Sequence, residues 1–416
     1  PLLFYSLEFW DHSLAVAFAL WATYFAASSL RDRGRQEAYL AGMLVAVAAL
    51  QRPELYVYAL ALGVGLLVVS RRQPGRFLFY SLGGLAAALL GWLLQYGWFG
   101  HPLGPVVTPR LPSILHPDGF VSSNTLLPPT VGTPWPLRTT RLLSFVQPAD
   151  MGSLLCLLLL LIGIVCVVFA LRVYPQRTRE LLSLGTLFII GAYTGLAIQS
   201  RETVITGVLT TFPPVALSLT YVDQRLANPV RRRTYRLVLI TTVFFLALML
   251  AIWPAYGGKQ WGSRYLLVVY PLLLYLALEV YESYLPQLPA ATRTVFKKAT
   301  VLLFVAAVLF QFLGVWHLYT DHKSRSGLAQ RVQDAPAEVI VTTNPFLASW
   351  TPTVDDKVIL YAREDVLAAG LLARLQQQGV DEVGIMATSD IVPHLSPAAS
   401  GMQVIDLSDA GNGSLD

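Results

Sequence analysis

Charge is what this sequence has least of. Only 13% of its 416 residues are Asp, Glu, Lys or Arg, against about 25% in a soluble globular chain. That deficit excludes a soluble enzyme, a disordered tail and a fibrous repeat. Cysteine is scarcer still. Cys156 and Cys166 lie inside one apolar run, supply neither a disulfide framework nor a metal site, and leave the redox compartment open. No Walker A sequence, zinc-protease His-Glu pair or Gly-x-Ser-x-Gly elbow occurs, which sets aside the chemistries those motifs carry. The apolar runs also lack the chain of internal charges that a proton or ion pathway needs.

What is present is apolar bulk: 55% of residues are hydrophobic and the mean hydropathy is +0.55. Runs of roughly 20 apolar residues can cross a bilayer. The candidates are 13–30, 77–97, 153–172, 181–200, 203–221, 237–256, 265–283 and 299–318. A further stretch, 38–70, is interrupted by Gln51-Arg52-Pro53-Glu54. As one helix it would reach roughly 50 Å, too long for a single span. A tight helical hairpin is expected there, with Arg52-Pro53-Glu54 at its tip and Pro53 in the first turn of the returning helix. The expected fold class is therefore a membrane, all-α polytopic bundle of about ten hydrophobic segments.

The sequence holds 30 Lys and Arg against 25 Asp and Glu, a net charge of +5 with a pI near 9.1. Taken alone, that balance suggests a nucleic-acid partner; the positions of the cations say otherwise. Seventeen fall in five alternate loops: Arg31, Arg33 and Arg35; Arg71, Arg72 and Arg76; Arg172, Arg177 and Arg179; Arg225, Arg231, Arg232, Arg233 and Arg236; and Arg293, Lys297 and Lys298. The opposite side holds seven: Arg52, Arg110, Arg138, Arg141, Arg201, Lys259 and Arg264. By the positive-inside rule the first face is cytoplasmic. Both termini are then extracytoplasmic, in an integral multi-pass protein of the cell membrane. The basic excess orients the protein and is no footprint for nucleic acid.

Two domains are expected. Residues 1–318 form the transmembrane domain, with a Pro- and Gly-rich outer loop at 98–152. Residues 319–416 form a small extracytoplasmic α/β domain, with six cations against thirteen acids. In it, β-branched runs at 338–343, 357–361, 382–387 and 403–406 bracket a helical pattern at 364–378 that Gly379 ends. The chain opens at Pro1 on the outer side without a signal sequence or a preceding span, so upstream membrane structure is expected.

Ionisable groups near a bilayer are costly and mark candidate sites. Asp11 and His12, beside Glu8 at the outer end of the first span, suit an acid/base pair or a divalent metal or sugar hydroxyl. They equally suit an ordinary helix start, where the dipole favours Asp. Arg52 and Glu54 sit at the tip of a hairpin with arms of about thirteen and sixteen residues, or roughly 20–24 Å, short of a hydrocarbon core of about 30 Å. A recessed arginine fits a lipid phosphate; an internal Arg–Glu pair closing the turn is the alternative. Lys259 and Arg264 lie in a Gly-rich loop that can approach an anionic head group, or can simply anchor the interface. Arg201, followed by Glu202, reads first as an exposed pair and second as a substrate contact.

Four segments carry a resemblance. Phe9-Trp10-Asp11-His12-Ser13 leads into a span. Leu50-Gln51-Arg52-Pro53-Glu54 closes a helix pair that begins at Ala41-Gly42-Met43. Trp98-Phe99-Gly100-His101-Pro102-Leu103-Gly104 opens an outer loop, and Gly257-Gly258-Lys259-Gln260-Trp261-Gly262-Ser263-Arg264-Tyr265-Leu266 precedes a late span. In this order they resemble the GT-C-type glycosyltransferases, such as the protein mannosyltransferases and aminoarabinose transferases. The resemblance implies a polyprenyl-phosphate-linked sugar donor, a protein, lipid or glycan acceptor, and inversion at the anomeric carbon. It implies that Asp11 is a second acid orienting a sugar. Arg52 and Arg264, assisted by Lys259, would hold the phosphate. The principal catalytic carboxylate would lie before Pro1. Asp11 stands where such enzymes commonly carry Glu. Two other classes fit the composition: a non-catalytic lipid-binding or scaffold protein of the same fold, and a lipid-linked-sugar transporter or flippase, which should show inverted repeats.

Overall fold

The computed structural model describes residues 11–31, 34–99, 151–172, 177–199, 211–252, 266–342, 357–361, 365–386 and 403–406. The chain divides into two compact units, Pro1–Val315 and Trp316–Asp416.

The described helices are α1 (Asp11–Ser28), α2 (Arg35–Gln51), α3 (Glu54–Val69), α4 (Gly75–Phe99), α5 (Met151–Arg172), α6 (Thr178–Gln199), the single-turn α7 (Val215–Ser218), α8 (Pro229–Ile252), α9 (Val269–Tyr284) and α10 (Ala290–Asp334). Four contain stretches long and apolar enough to cross a membrane: Gly75–Trp98, Leu154–Arg172, Thr178–Ile198 and Ala290–Trp316. Ser13–Ser28 and Glu54–Val69 are apolar but shorter. The outer surfaces match that reading. On α4, Leu85, Leu89, Leu90, Leu93 and Leu94 are all exposed, and on α10 so are Val301, Val305, Leu309 and Phe312. A patch of this extent on a water-soluble protein would be an association surface.

Ten spans are thus not what the described residues display, and one segment shows why. The apolar run 203–221 carries Pro213-Pro214. Proline lacks the N–H that a helix interior needs and pushes its predecessor out of the α region. Around it the described residues give a helical Thr211, the four-residue α7 and a short 3₁₀ turn at Asp223–Arg225, while residues 201–210 lie outside the described residues. That broken stretch is buried: Val215, Ala216, Leu217 and Ser218 are each no more than 4% exposed. Broken backbone is tolerated at membrane depth where protein surrounds it.

The α2–α3 connection is the expected tight hairpin, with Arg52 and Pro53 joining Gln51 to Glu54. The tip is where expected, but the two arms pack mainly on other helices. The main partner of α2 is α4, and that of α3 is α8. Glycine explains the first pairing. A Cβ on Gly42 would stand 1.9 Å from the Tyr80 carbonyl oxygen, and one on Gly83 would stand 2.0 Å from that of Tyr39. Without a hydrophobic drive between spans, close backbone approach of this kind supplies the packing. Gly163 and Gly185 repeat the device between α5 and α6, each Cβ position lying 2.8 Å from the other's carbonyl oxygen. On α3, Tyr58 packs edge-on against Phe245 at 5.5 Å and shares a 2.6 Å hydroxyl contact with Thr23 of α1.

The second unit carries four parallel strands, β1 (Val339–Thr342), β2 (Val358–Tyr361), β3 (Glu382–Met386) and β4 (Gln403–Asp406), in the order β2-β1-β3-β4. Helix α11 (Asp365–Gln377) lies between β2 and β3 in sequence, and its Ala368, Leu372 and Leu375 share a core with Val341, Val383 and Ile385. Gly379, at φ +80°, ends α11 as expected. Its N–H donates to Gln376, and the Val380 N–H donates to Leu375, the double bond of a left-handed helix stop that only glycine makes without a Cβ penalty.

Candidate functional site

The turn between α2 and α3 is built from local rules. Arg52 precedes a proline and takes the extended conformation that this position favours, at φ −139° and ψ 122°. Its N–H donates to the Ala48 carbonyl at 3.1 Å. Pro53, at φ −65°, caps α3 rather than entering its first turn. Glu54 then opens α3, where the helix dipole favours a carboxylate. Two residues apart, the side chains meet: the Arg52 Nε donates to the Glu54 Oε1 at 3.0 Å. Their side chains are only 11% and 5% exposed. The ion pair and the phosphate ligand were alternatives for these residues; the pair is formed.

Depth follows from register. Helices α2 and α4 run the same way and meet at Tyr39–Gly83, Gly42–Tyr80 and Leu50–Gly91. Beyond Gly91, α4 continues to Phe99, a rise of about 12 Å. The tip extends only from Leu50 to Arg52, so it lies about 10 Å short of the end of α4. At its level α4 exposes Leu90, Leu93 and Leu94 to the surroundings. The Trp92 indole donates to the Tyr56 hydroxyl at 3.3 Å on the same level. A charged pair is therefore held inside protein at the height of an exposed leucine band on a helix apolar enough to cross a membrane. Such a placement is costly and marks a functional site by default.

The other sequence candidates cannot be joined to it. Asp11 and His12 open α1, though their side chains lie outside the described residues, as do Glu8, Arg201, Lys259 and Arg264. The metal expectation at Asp11 and His12 falls there too. Among the described residues, no group of three or more His, Cys, Asp or Glu could hold a metal ion.

Two carboxylates that the sequence did not single out stand at the opposite, basic end. Arg236 clamps Asp223 through two hydrogen bonds of 2.6 Å. Arg231 donates to Glu279 at 2.6 Å and also pairs with Glu282. Other arginines bind backbone: Arg232 the Leu226 carbonyl, Arg172 that of Tyr221 and Arg76 that of Arg31. Arg225 lies 4.1 Å over the Tyr284 ring. The signal was a glutamate inside an otherwise apolar run, at Glu279.

The Arg236 hydrogen bond holds the Asp223 carboxyl below the usual carboxylate range, against the opposing effect of burial. A depressed folded-state pKa contributes stability above the unfolded value, about 4, and loses it as pH falls through the lower folded value. Asp223→Asn is expected to lower the unfolding midpoint at neutral pH more than in acid, flattening that acid limb. Arg236 is half exposed, so solvent limits the size of the effect. An unchanged acid limb would remove Asp223 from it.

The class that fold and site define is a helical protein with membrane-crossing segments and a buried ion pair recessed at one end. Compared with known proteins, the chain matches no family model, no curated protein and no solved structure.

Proposed function

We propose that this chain is the membrane-embedded part of a glycosyltransferase that moves a sugar from a polyprenyl-phosphate donor to an acceptor hydroxyl. The supporting observation is the recessed Arg52–Glu54 pair. A lipid-linked phosphate lies near the boundary between hydrocarbon and water, and a tip recessed about 10 Å from the end of α4 suits a donor drawn in from that boundary. The Arg52 fork matches phosphate oxygens, and Glu54 fixes its orientation. In the reaction the acceptor oxygen bonds to the anomeric carbon from the face opposite the leaving group, giving inversion. The carbon–phosphate oxygen bond breaks, and the lipid phosphate leaves as an anion. Arg52, with Arg264 and Lys259, stabilises the charge growing on it. Asp11, with His12 and Glu8 nearby, orients a sugar hydroxyl, and the resemblance assigns proton removal to an outer-loop carboxylate preceding Asp11. The full topology belongs to the same proposal. The basic end is cytoplasmic, while the tip and the α/β unit are extracytoplasmic.

The test supplies membranes containing the protein with polyprenyl-phosphate donors carrying labelled sugars. Transfer of label to an acceptor, at a rate above membranes lacking the protein, is expected. Saturable donor binding without transfer would instead favour a non-catalytic lipid-binding protein.

A further inference from the structure

At the basic end the arginines divide into two groups. Arg76, Arg172, Arg231, Arg232 and Arg236 are each spent on a carbonyl or a carboxylate. Others are exposed, and among the described residues no hydrogen bond or ion pair holds them. Three of these converge. Gly65 of α3 packs on Leu237 and Thr241 of α8, while Tyr58, earlier in α3, packs on Phe245, later in α8. The two helices are therefore antiparallel. Extended by about one and a half turns, that register carries the turn after α3, with Arg71 and Arg72, towards the start of α8, with Arg233. Among the described carboxylates of this end, Asp223 and Glu279 are buried in pairs and Glu282 is bound to Arg231, while Glu37 and the exposed Glu180 belong to the first turns of α2 and α6 rather than to α3 or α8.

We infer that the corner formed by Arg71, Arg72 and Arg233 binds the headgroup phosphate of an anionic phospholipid. Charge complementarity selects the partner, since three exposed guanidinium groups lie at the end of a bundle whose helices expose apolar faces. The headgroup layer is what meets such an end, and cations placed there attract anionic lipids. Arginine suits the task because its fork engages phosphate oxygens two at a time. This site is separate from the Arg52 tip and does not depend on the transferase reading.

The experiment places the purified protein in phosphatidylcholine vesicles containing spin-labelled phosphatidylglycerol or, in parallel, spin-labelled phosphatidylcholine. The fraction of motionally restricted label gives the selectivity. The unaltered protein is expected to prefer phosphatidylglycerol severalfold, with the preference falling as salt rises. R71Q/R72Q/R233Q is expected to lower it towards the phosphatidylcholine level, while K297Q/K298Q, at the start of α10, keeps most of it. The unaltered protein and its salt dependence stand as a readout should the triple variant misfold. No preference in the unaltered protein, or equal preference in a folded triple variant, overturns the proposal and leaves the corner to some other partner.

Discussion

Arg52→Ala is expected to destabilise the protein by about 3–5 kcal/mol, the usual cost of stranding one half of a buried ion pair. The two side chains, 11% and 5% exposed, have little access to the solvent that would soften the loss. A double variant, Arg52→Met with Glu54→Leu, should recover most of that stability, because well-packed apolar side chains replace a buried pair at little or no net cost. Thermal unfolding of the purified protein in detergent measures both. A small effect from Arg52→Ala would mean that the tip is wetter than its burial indicates. Recovery in the double variant would assign the pair to function rather than to stability, since the fold would hold without it.

The second large effect is expected where α2 crosses α4. Gly42→Ala places a methyl group where the Tyr80 carbonyl oxygen stands, 1.9 Å from the added carbon. Backbone cannot step aside as a flexible side chain can, so the helices must separate. Overpacking of this kind costs about 1–3 kcal/mol for added methylenes, and Gly42→Leu is expected to exceed that and abolish a monodisperse fold. Gly97, also on α4, has nothing within 4 Å of its Cβ position. Gly97→Ala should therefore be neutral or stabilise by up to about 1 kcal/mol through helix propensity. Size-exclusion profiles and unfolding midpoints of the two alanine variants make the comparison. Equal behaviour would contradict the close α2–α4 crossing.

The parts legible in the sequence are those fixed by short-range chemistry. The Arg52-Pro53-Glu54 turn, the Gly379 stop and the four strands of the second unit each rest on neighbours within a few residues. Pairing between distant helices was not readable. Hydropathy gives α2 and α3 as adjacent arms but carries nothing about α4 and α8 being their principal partners. The break at Pro213-Pro214 had a visible signal that apolar run length overrode. Asp223 and Glu279 were hidden for another reason. Their partners, Arg236 and Arg231, were already explained as topology signals, although the same guanidinium groups also satisfy buried carboxylates.

These observations bear on how a lipid phosphate could be recognised at membrane depth. Glu54 confines the Arg52 guanidinium to one orientation, and Leu50 against Gly91 fixes the height of the turn on α4. Both reduce the ordering cost that a mobile surface arginine would carry on binding. The most direct measurement is therefore the affinity of the purified protein for a polyprenyl-phosphate-linked sugar, compared with Arg52→Lys, which keeps a cation beside Glu54 but loses the fork. Saturable binding to the unaltered protein, weakened about 10-fold by Arg52→Lys, or about 1.4 kcal/mol, is the result predicted. Equal affinity in the two folded proteins, or no binding to the unaltered one, would contradict the account.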